Sequence, residues 1–395
     1  MATRRSGVQS PMRRVLAVAL WAIVHAAMAA GAIHPDALAA VERIRGHAFA
    51  HAVDSTMISR VELPRILHQR LAEGTYPPAA DYVTVLRALE LIGDGDKAIE
   101  GMIDLYSSQV MAFYDLDEHR YYAIDSPPAG LSNELAAAPI MAEAIEVHEL
   151  THALQDQRFG AGSRAQQLRQ DWDAQLAYQS VLEGEATLVM LAWMGERSGL
   201  SLDQVVASDT IIEALAGQAT ALSGGGGAER YFAESLTFPY VSGLRFIAGA
   251  YRRGGWAAVD AIDRNPPATT AEIIDPAGYA AARSHYPVPL PGSSRALLLT
   301  HLGVFNWRFL LGDLPPGWRG DVTAVLQDER CQTSVLTESQ WASEESARKF
   351  AERYLRFLEG RGVGARSSRR GNVVRLGYGS DTSLITSFIG YAFSP

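Results

Sequence analysis

In Glu146-Val147-His148-Glu149-Leu150-Thr151-His152-Ala153-Leu154, two histidines stand four residues apart and a glutamate follows the first. On a helix, positions i and i+4 lie one above the other on the same face. His148 and His152 therefore aim both imidazoles at one point, at a separation suited to a tetrahedral zinc ion. Glu149 projects from a neighbouring direction, where it can reach a water beside the metal without ligating the metal itself. Apart from Glu149, no acid, lysine, arginine or proline interrupts residues 147–154. Ile140, Met141, Ala144, Ile145, Val147 and Leu154 supply apolar surface, so a largely buried helix is predicted within 134–157, with Pro139 near its start.

A catalytic zinc takes three protein ligands, so the motif calls for an acid or a histidine further on. Tyr178-Gln179-Ser180-Val181-Leu182-Glu183-Gly184-Glu185-Ala186-Thr187 offers two glutamates. Both flank Gly184, whose missing side chain is expected to leave room near the metal. Two residues apart on a helix, Glu183 and Glu185 point in different directions, and only one should ligate. For orienting a ligating histidine from behind, Asp156 and Asp173 are the candidates.

The amino terminus has a different character. Arg4, Arg5, Arg13 and Arg14 precede an apolar run over residues 15–32 that ends in small residues. That is the layout of a secretory signal, with Ala27-Met28-Ala29 as the cleavage site. An uncleaved anchor is the alternative, because the run approaches the length of a membrane span. The small residues at its end and His25 within it favour cleavage. Removing residues 1–29 lowers the net charge from −9 to about −13. Nucleic acid is then excluded as an expected partner, since no basic patch offsets the acidity. Once the signal is gone, no membrane partner is expected either. Cys331 is the single cysteine, so an exported chain must rely on its core rather than on an internal disulfide. A periplasmic or secreted protein is the simplest reading.

The rest of the 395-residue chain divides by periodicity. Residues 35–108 read as helical: Val41, Ile44 and Ala48 recur at helical spacing, as do Leu63, Leu67 and Leu71, then Val83, Leu86, Leu89 and Ile92. Gly93-Asp94-Gly95-Asp96 breaks the last run as a turn; the other ligand positions of a calcium loop are missing. Residues 109–115 and 120–125 are rich in aromatic and branched side chains and predict a β-hairpin joined by Leu116-Asp117-Glu118-His119. Gly160 should stop the motif helix, and residues 171–194 should form a second long helix carrying Glu183 and Glu185. Ser223-Gly224-Gly225-Gly226-Gly227 reads as a flexible surface loop. Phe238-Pro239-Tyr240 should open an apolar helix through Tyr251, and 297–311 should be helical. Prolines 266–267 and 287–291 mark loops. In the tail, 322–326, 373–376 and 383–389 read as strands and 343–358 as a helix. The expected architecture is mainly α with a small β-hairpin before the motif helix, and a small α+β unit at the end. The expected boundaries are 33–312 for a helical, two-lobed domain and 313–395 for the C-terminal unit.

HELTH together with EGEA resembles the HExxH and EGxA pair of gluzincin-type zinc metallopeptidases, in particular the aminopeptidase N-like enzymes. The longer run His148–Gln157 (HELTHALQDQ) resembles uncharacterised exported bacterial proteins of the same clan. The resemblance implies a zincin-like fold and zinc as cofactor, with His148, His152 and Glu183 as ligands and Glu149 as general base. It also implies that Tyr240, in Tyr240-Val241-Ser242-Gly243, stabilises the oxyanion, as the tyrosine of a Y-x-x-G pattern does in those enzymes. It is firm over residues 146–187, thinner to 254, and carries no functional information beyond. Three departures stand against it. Thirty residues lie between His152 and Glu183, more than in the aminopeptidases. No G-x-M-E-N motif is present to bind a substrate amino terminus, which favours endopeptidase action. Thr187 occupies the place of the thermolysin-like aspartate four residues after the ligand.

The expected function is therefore an exported zinc peptidase acting on a peptide or protein substrate. A zinc-binding scaffold without turnover, used for binding or assembly, is the alternative. Glu149 argues against that alternative, because a structural site has no need of a general base.

Overall fold

The computed structural model describes residues 33–93, 98–126, 139–208, 227–277 and 295–390. The signal at 1–29, Asp94-Gly95-Asp96, Ser223 with Gly224-Gly225-Gly226, and the prolines 287–291 lie outside them.

Four helices come first: α1 (Pro35–Arg45), α2 (Leu63–Gly74), α3 (Ala79–Ala88) and α4 (Ala98–Gln109). Between α1 and α2 runs β1 (Asp54–Ile58), where the sequence predicted only helix. The segment DSTMI shows no clear alternation, so only its pairing makes it a strand. The hairpin forms as expected from β2 (Ala112–Asp115) and β3 (Arg120–Ile124), paired antiparallel with Phe113 opposite Tyr122. β1 joins β3 in parallel on the far side, so the sheet order is β1-β3-β2 and β2 is an edge.

The motif helix α5 (Pro139–Phe159) begins at a proline, whose missing N–H costs nothing in the first turn. It ends at Gly160, left-handed at φ 69°, whose N–H donates to the Asp156 carbonyl. α6 (Ala161–Leu168) is short. The second long helix α7 (Trp172–Arg197) is capped by the Asp171 side chain, which accepts from the Ala174 N–H. α7 is the axis of the helical body and packs against α5 and α9 (Gly227–Arg264). α9 starts well before Pro239, against the sequence expectation. Burial of Tyr231, Phe232 and Ala233 on its first turns outweighs the local cost of an internal proline. α8 (Leu202–Val206) and α10 (Thr270–Ile274) complete this part. Among the described residues no helix is long and apolar enough to cross a membrane.

The C-terminal part holds a five-stranded antiparallel sheet, ordered β4-β5-β6-β8-β7. Its strands are β4 (Arg295–Thr300), β5 (Trp318–Gln327), β6 (Thr333–Trp341), β7 (Ala365–Arg370) and β8 (Val373–Gly379). The stretch expected as a helix over 297–311 is divided: its first residues are β4, and only α11 (Gly303–Leu311) is helical. α12 (Glu344–Glu359), capped by the Ser343 side chain, buries Phe350, Tyr354 and Leu358 with Trp307 and Trp341 on one sheet face. α13 (Thr382–Gly390) covers the other face through Ile385 and Phe388, against Val322, Ala324, Leu326 and Leu336. Residues 383–389 were expected as a strand. The two buried positions stand three apart, which one helical face satisfies and strand alternation does not.

Candidate metal centre

Two helices enclose the centre, and each is open at one place. On α5, every residue from Glu146 to Asp156 is buried except Glu149. On α7, every residue from Ser180 to Gly195 is buried except Glu183.

His148, His152 and Glu183 form a group that could hold a metal ion. His148 Nε2 and His152 Nε2 are 3.2 Å apart. Glu183 Oε2 lies 3.1 Å from His148 Nε2 and 3.4 Å from His152 Nε2. Donors about 2.0–2.1 Å from a tetrahedral zinc stand about 3.3 Å from one another. The triangle fits that ion, and its donor set is two imidazoles and one carboxylate. Burial alone would raise the Glu183 carboxyl, but His152 and His148 beside it pull it well below the usual range. The reverse holds for His152: burial disfavours its charge, yet Glu183 lifts its pKa to about 9.

Glu185, the rival of Glu183, points the other way. It is 1% exposed and makes an ion pair with Arg45, the last residue of α1. Arg45 also reaches Asp260 Oδ1 at 2.9 Å and Asp263 Oδ2 at 3.3 Å, and lies 4.4 Å from the Trp256 ring. One guanidinium cannot offset both buried carboxylates, Glu185 and Asp263, while the half-buried Asp260 also meets Arg264 and His47. Burial and the nearby Glu185 push the Asp263 carboxyl up to about 9, so it keeps its proton. Glu185 Oε2 in turn accepts from Gln155 Nε2 at 2.7 Å, and Gln155 Oε1 faces His152 Nδ1 at 2.8 Å. The acceptor oxygen of Gln155 fixes the proton of His152 on Nδ1 and leaves the Nε2 lone pair for the centre.

Gln155 therefore does what was expected of Asp156 or Asp173. Asp156 turns instead to the Tyr114 hydroxyl at 3.0 Å, His119 Nδ1 at 2.5 Å and the Gly162 N–H at 2.9 Å. Asp173 is held by Thr270, far along α7. Gln155 stands three residues after His152, on the same helical face, and that spacing was the available signal.

The room at Gly184 also has another use than the one expected. A Cβ there would lie 2.3 Å from the backbone carbonyl of Gly243, and a Cβ on Gly243 would lie 2.0 Å from the Ser180 carbonyl oxygen. The two glycines let α7 and α9 touch backbone to backbone. One turn before Gly243, Tyr240 stacks on the His148 ring at 5.9 Å between centroids and 20° between planes. Burial, together with the nearby Glu183 and Glu149 carboxylates, raises its phenol far above the ordinary value. Tyr251 lies elsewhere, edge-on to Trp256.

Glu149 does not touch Glu183 or the imidazole nitrogens by hydrogen bond. Its Oε2 accepts from the Tyr114 N–H at 2.9 Å, which ties the motif helix to the edge strand. Burial pushes the Glu149 carboxyl up, against the pull of His148 and His152. On β2, the Met111 carbonyl faces β3, so the main-chain groups of Ala112 and Tyr114 face the opposite way.

The family described as Domain of unknown function (DUF8575) matches residues 313–385, from just before β5 into α13. That span lies clear of the metal centre. No curated protein and no solved structure matches the chain.

Proposed function

We propose that this chain is an exported zinc metallopeptidase of gluzincin type with a zincin-like helical domain, cutting within peptide or protein chains. The observation that carries the reading is the donor triangle of His148, His152 and Glu183, with Glu149 beside it and outside it. A structural site closes its fourth position with a protein ligand, whereas here three donors converge among the described residues and Glu149 stands outside them. Bound zinc would supply the Lewis acidity that lowers a water's pKa towards neutrality. Glu149 is placed to take the proton of that water and later pass it to the leaving amine. Tyr240 is placed to donate its phenol proton to the oxyanion that develops at the carbonyl. The outward main-chain groups of Ala112 and the Tyr114 carbonyl can pair with an extended substrate, as an edge strand does, while the Tyr114 N–H stays with Glu149. Endopeptidase action follows from the missing G-x-M-E-N motif. Residence in the periplasm or outside the cell follows from the signal read at 1–29.

The test is cleavage of an unbiased peptide library by zinc-loaded protein, read by mass spectrometry. The wild type should cut internal bonds, and Glu149→Gln should lower the rate about 10²–10⁴-fold with zinc retained. Zinc retained without any cleavage by the wild type would point to the scaffold instead.

A further inference from the structure

We propose that the cavity beside Tyr106 is a substrate subsite of this centre. It would take a large apolar side chain two or three residues away from the bond that is cut. The proposal rests on the peptidase reading. The cavity has a volume of about 370 Å³, at the small end of ligand pockets, which run from about 300 to 1,000 Å³. It is therefore sized for part of a ligand. Leu67, Met102, Ile103, Tyr106, Leu116 and Ala165 give it an apolar lining. Its charges are paired off: Arg70 Nε meets Asp115 at 2.8 Å, and Arg169 meets Asp117 at 3.0 Å. A charged occupant would find no unpaired opposite charge in either pair, so an apolar occupant is favoured.

Two independent rulers place the cavity relative to the centre. Along β2, the Tyr114 N–H is bonded to Glu149, and the next residues, Asp115 and Leu116, line the cavity. A peptide lying beside this strand reaches it after about two residues, at about 3.3 Å each. Along α7, Gln175, Gln179 and Glu183 share one face at four-residue intervals. Gln175 lines the cavity, Gln179 is exposed in an otherwise covered stretch, and Glu183 belongs to the donor triangle. Eight helical residues span about 12 Å, which an extended chain covers in three to four residues. The strand gives about two residues and the helix three to four. The two rulers come closest at the second or third residue.

Peptide hydroxamates test this without turnover, because the hydroxamate ligates zinc and fixes the register. Dissociation constants would be measured on zinc-loaded full chain, with Phe, Leu, Ala or Asp at each of the first four positions from the hydroxamate. Phe and Leu should bind at least about 10-fold tighter than Ala at the second or third position alone. Ala165→Phe should abolish that preference at that position, leaving the other positions and the zinc content unchanged. Leu67→Ala, which enlarges the cavity, should extend the preference to Trp and serves if Ala165→Phe fails to fold. Equal binding of Phe and Ala at both positions, or a preference untouched by both substitutions, would overturn the subsite. The preference without cleavage of any peptide would remove the peptidase and keep the subsite. Cleavage without the preference would do the opposite, and hydroxamates that bind nowhere would overturn both.

Discussion

Tyr240 is the residue whose role separates catalysis from packing. Its phenol lies near Glu183 while its ring covers His148, so a purely structural tyrosine and an oxyanion donor differ in what the hydroxyl does. A preorganised donor contributes about 2.7–4 kcal/mol in the transition state, so Tyr240→Phe should lower kcat about 10²–10³-fold with zinc and melting temperature unchanged. Tyr251→Phe, remote from the centre, should keep full activity. Steady-state kinetics on the two variants decide it. Behind the centre, Gln155→Leu should weaken zinc binding about 10–100-fold by freeing the His152 ring. Glu185→Ala should instead cost stability, about 1–3 kcal/mol, because the buried Arg45 Nε and Gln155 Nε2 each lose an acceptor, while Asp263 can ionise and keep Arg45 paired. Competition with a chelator and urea melts separate these effects. At this scale the pattern HExxH was legible because four-residue spacing fixes direction. The choice between Glu183 and Glu185 was not, since spacing says only that they diverge and not which side holds the metal.

Between elements, the crossing of α7 and α9 at Gly184 and Gly243 sets where Tyr240 stands. Gly243→Ala would press a methyl into the Ser180 carbonyl, and the two helices would have to part. A loss of about 3 kcal/mol or more is expected, read as a lower melting temperature. Gly101→Ala is the control: nothing lies within 4 Å of its Cβ, and alanine is the better helix former. The glycine of EGEA and that of Y-x-x-G looked unrelated in sequence because their shared cause is a contact between helices. Long elements with a clear period, α5 and α7, were legible for the opposite reason. The misread ones, β1, α13 and the division of 297–311 into β4 and α11, are short, and their type is decided by what they pack against.

For the whole molecule, the joint between α7 and the C-terminal part depends on one buried acid. Asp173 accepts from the Thr270 N–H and hydroxyl, and Gly303, left-handed at φ 72°, comes so close that a Cβ would overlap the carboxyl. Burial raises the Asp173 pKa from 3.8 to about 7; the Thr270 bonds work against the rise, and Asp321 and Asp171 add to it. The folded chain then holds a proton that the unfolded chain has already released. Stability should fall as pH rises from about 4 to about 7 and level off above, by at most about 4 kcal/mol from this group. Asp173→Asn cannot ionise, so the difference between urea midpoints at pH 5 and pH 8 should shrink. An unchanged difference would place the pH dependence elsewhere. This joint left no trace in the sequence: Asp173, Thr270 and Gly303 stand about a hundred and a further thirty residues apart, and only the fold unites them.

The central claim is that one zinc is held by His148, His152 and Glu183. Its most direct measurement is metal content by elemental mass spectrometry after zinc loading and gel filtration, on the wild type and on His148→Ala, His152→Ala, Glu183→Ala and Glu185→Ala. Stoichiometric zinc is expected in the wild type, with loss in the first three variants and retention in folded Glu185→Ala. Wild-type protein without zinc, or zinc undiminished when both histidines are replaced, would contradict the account.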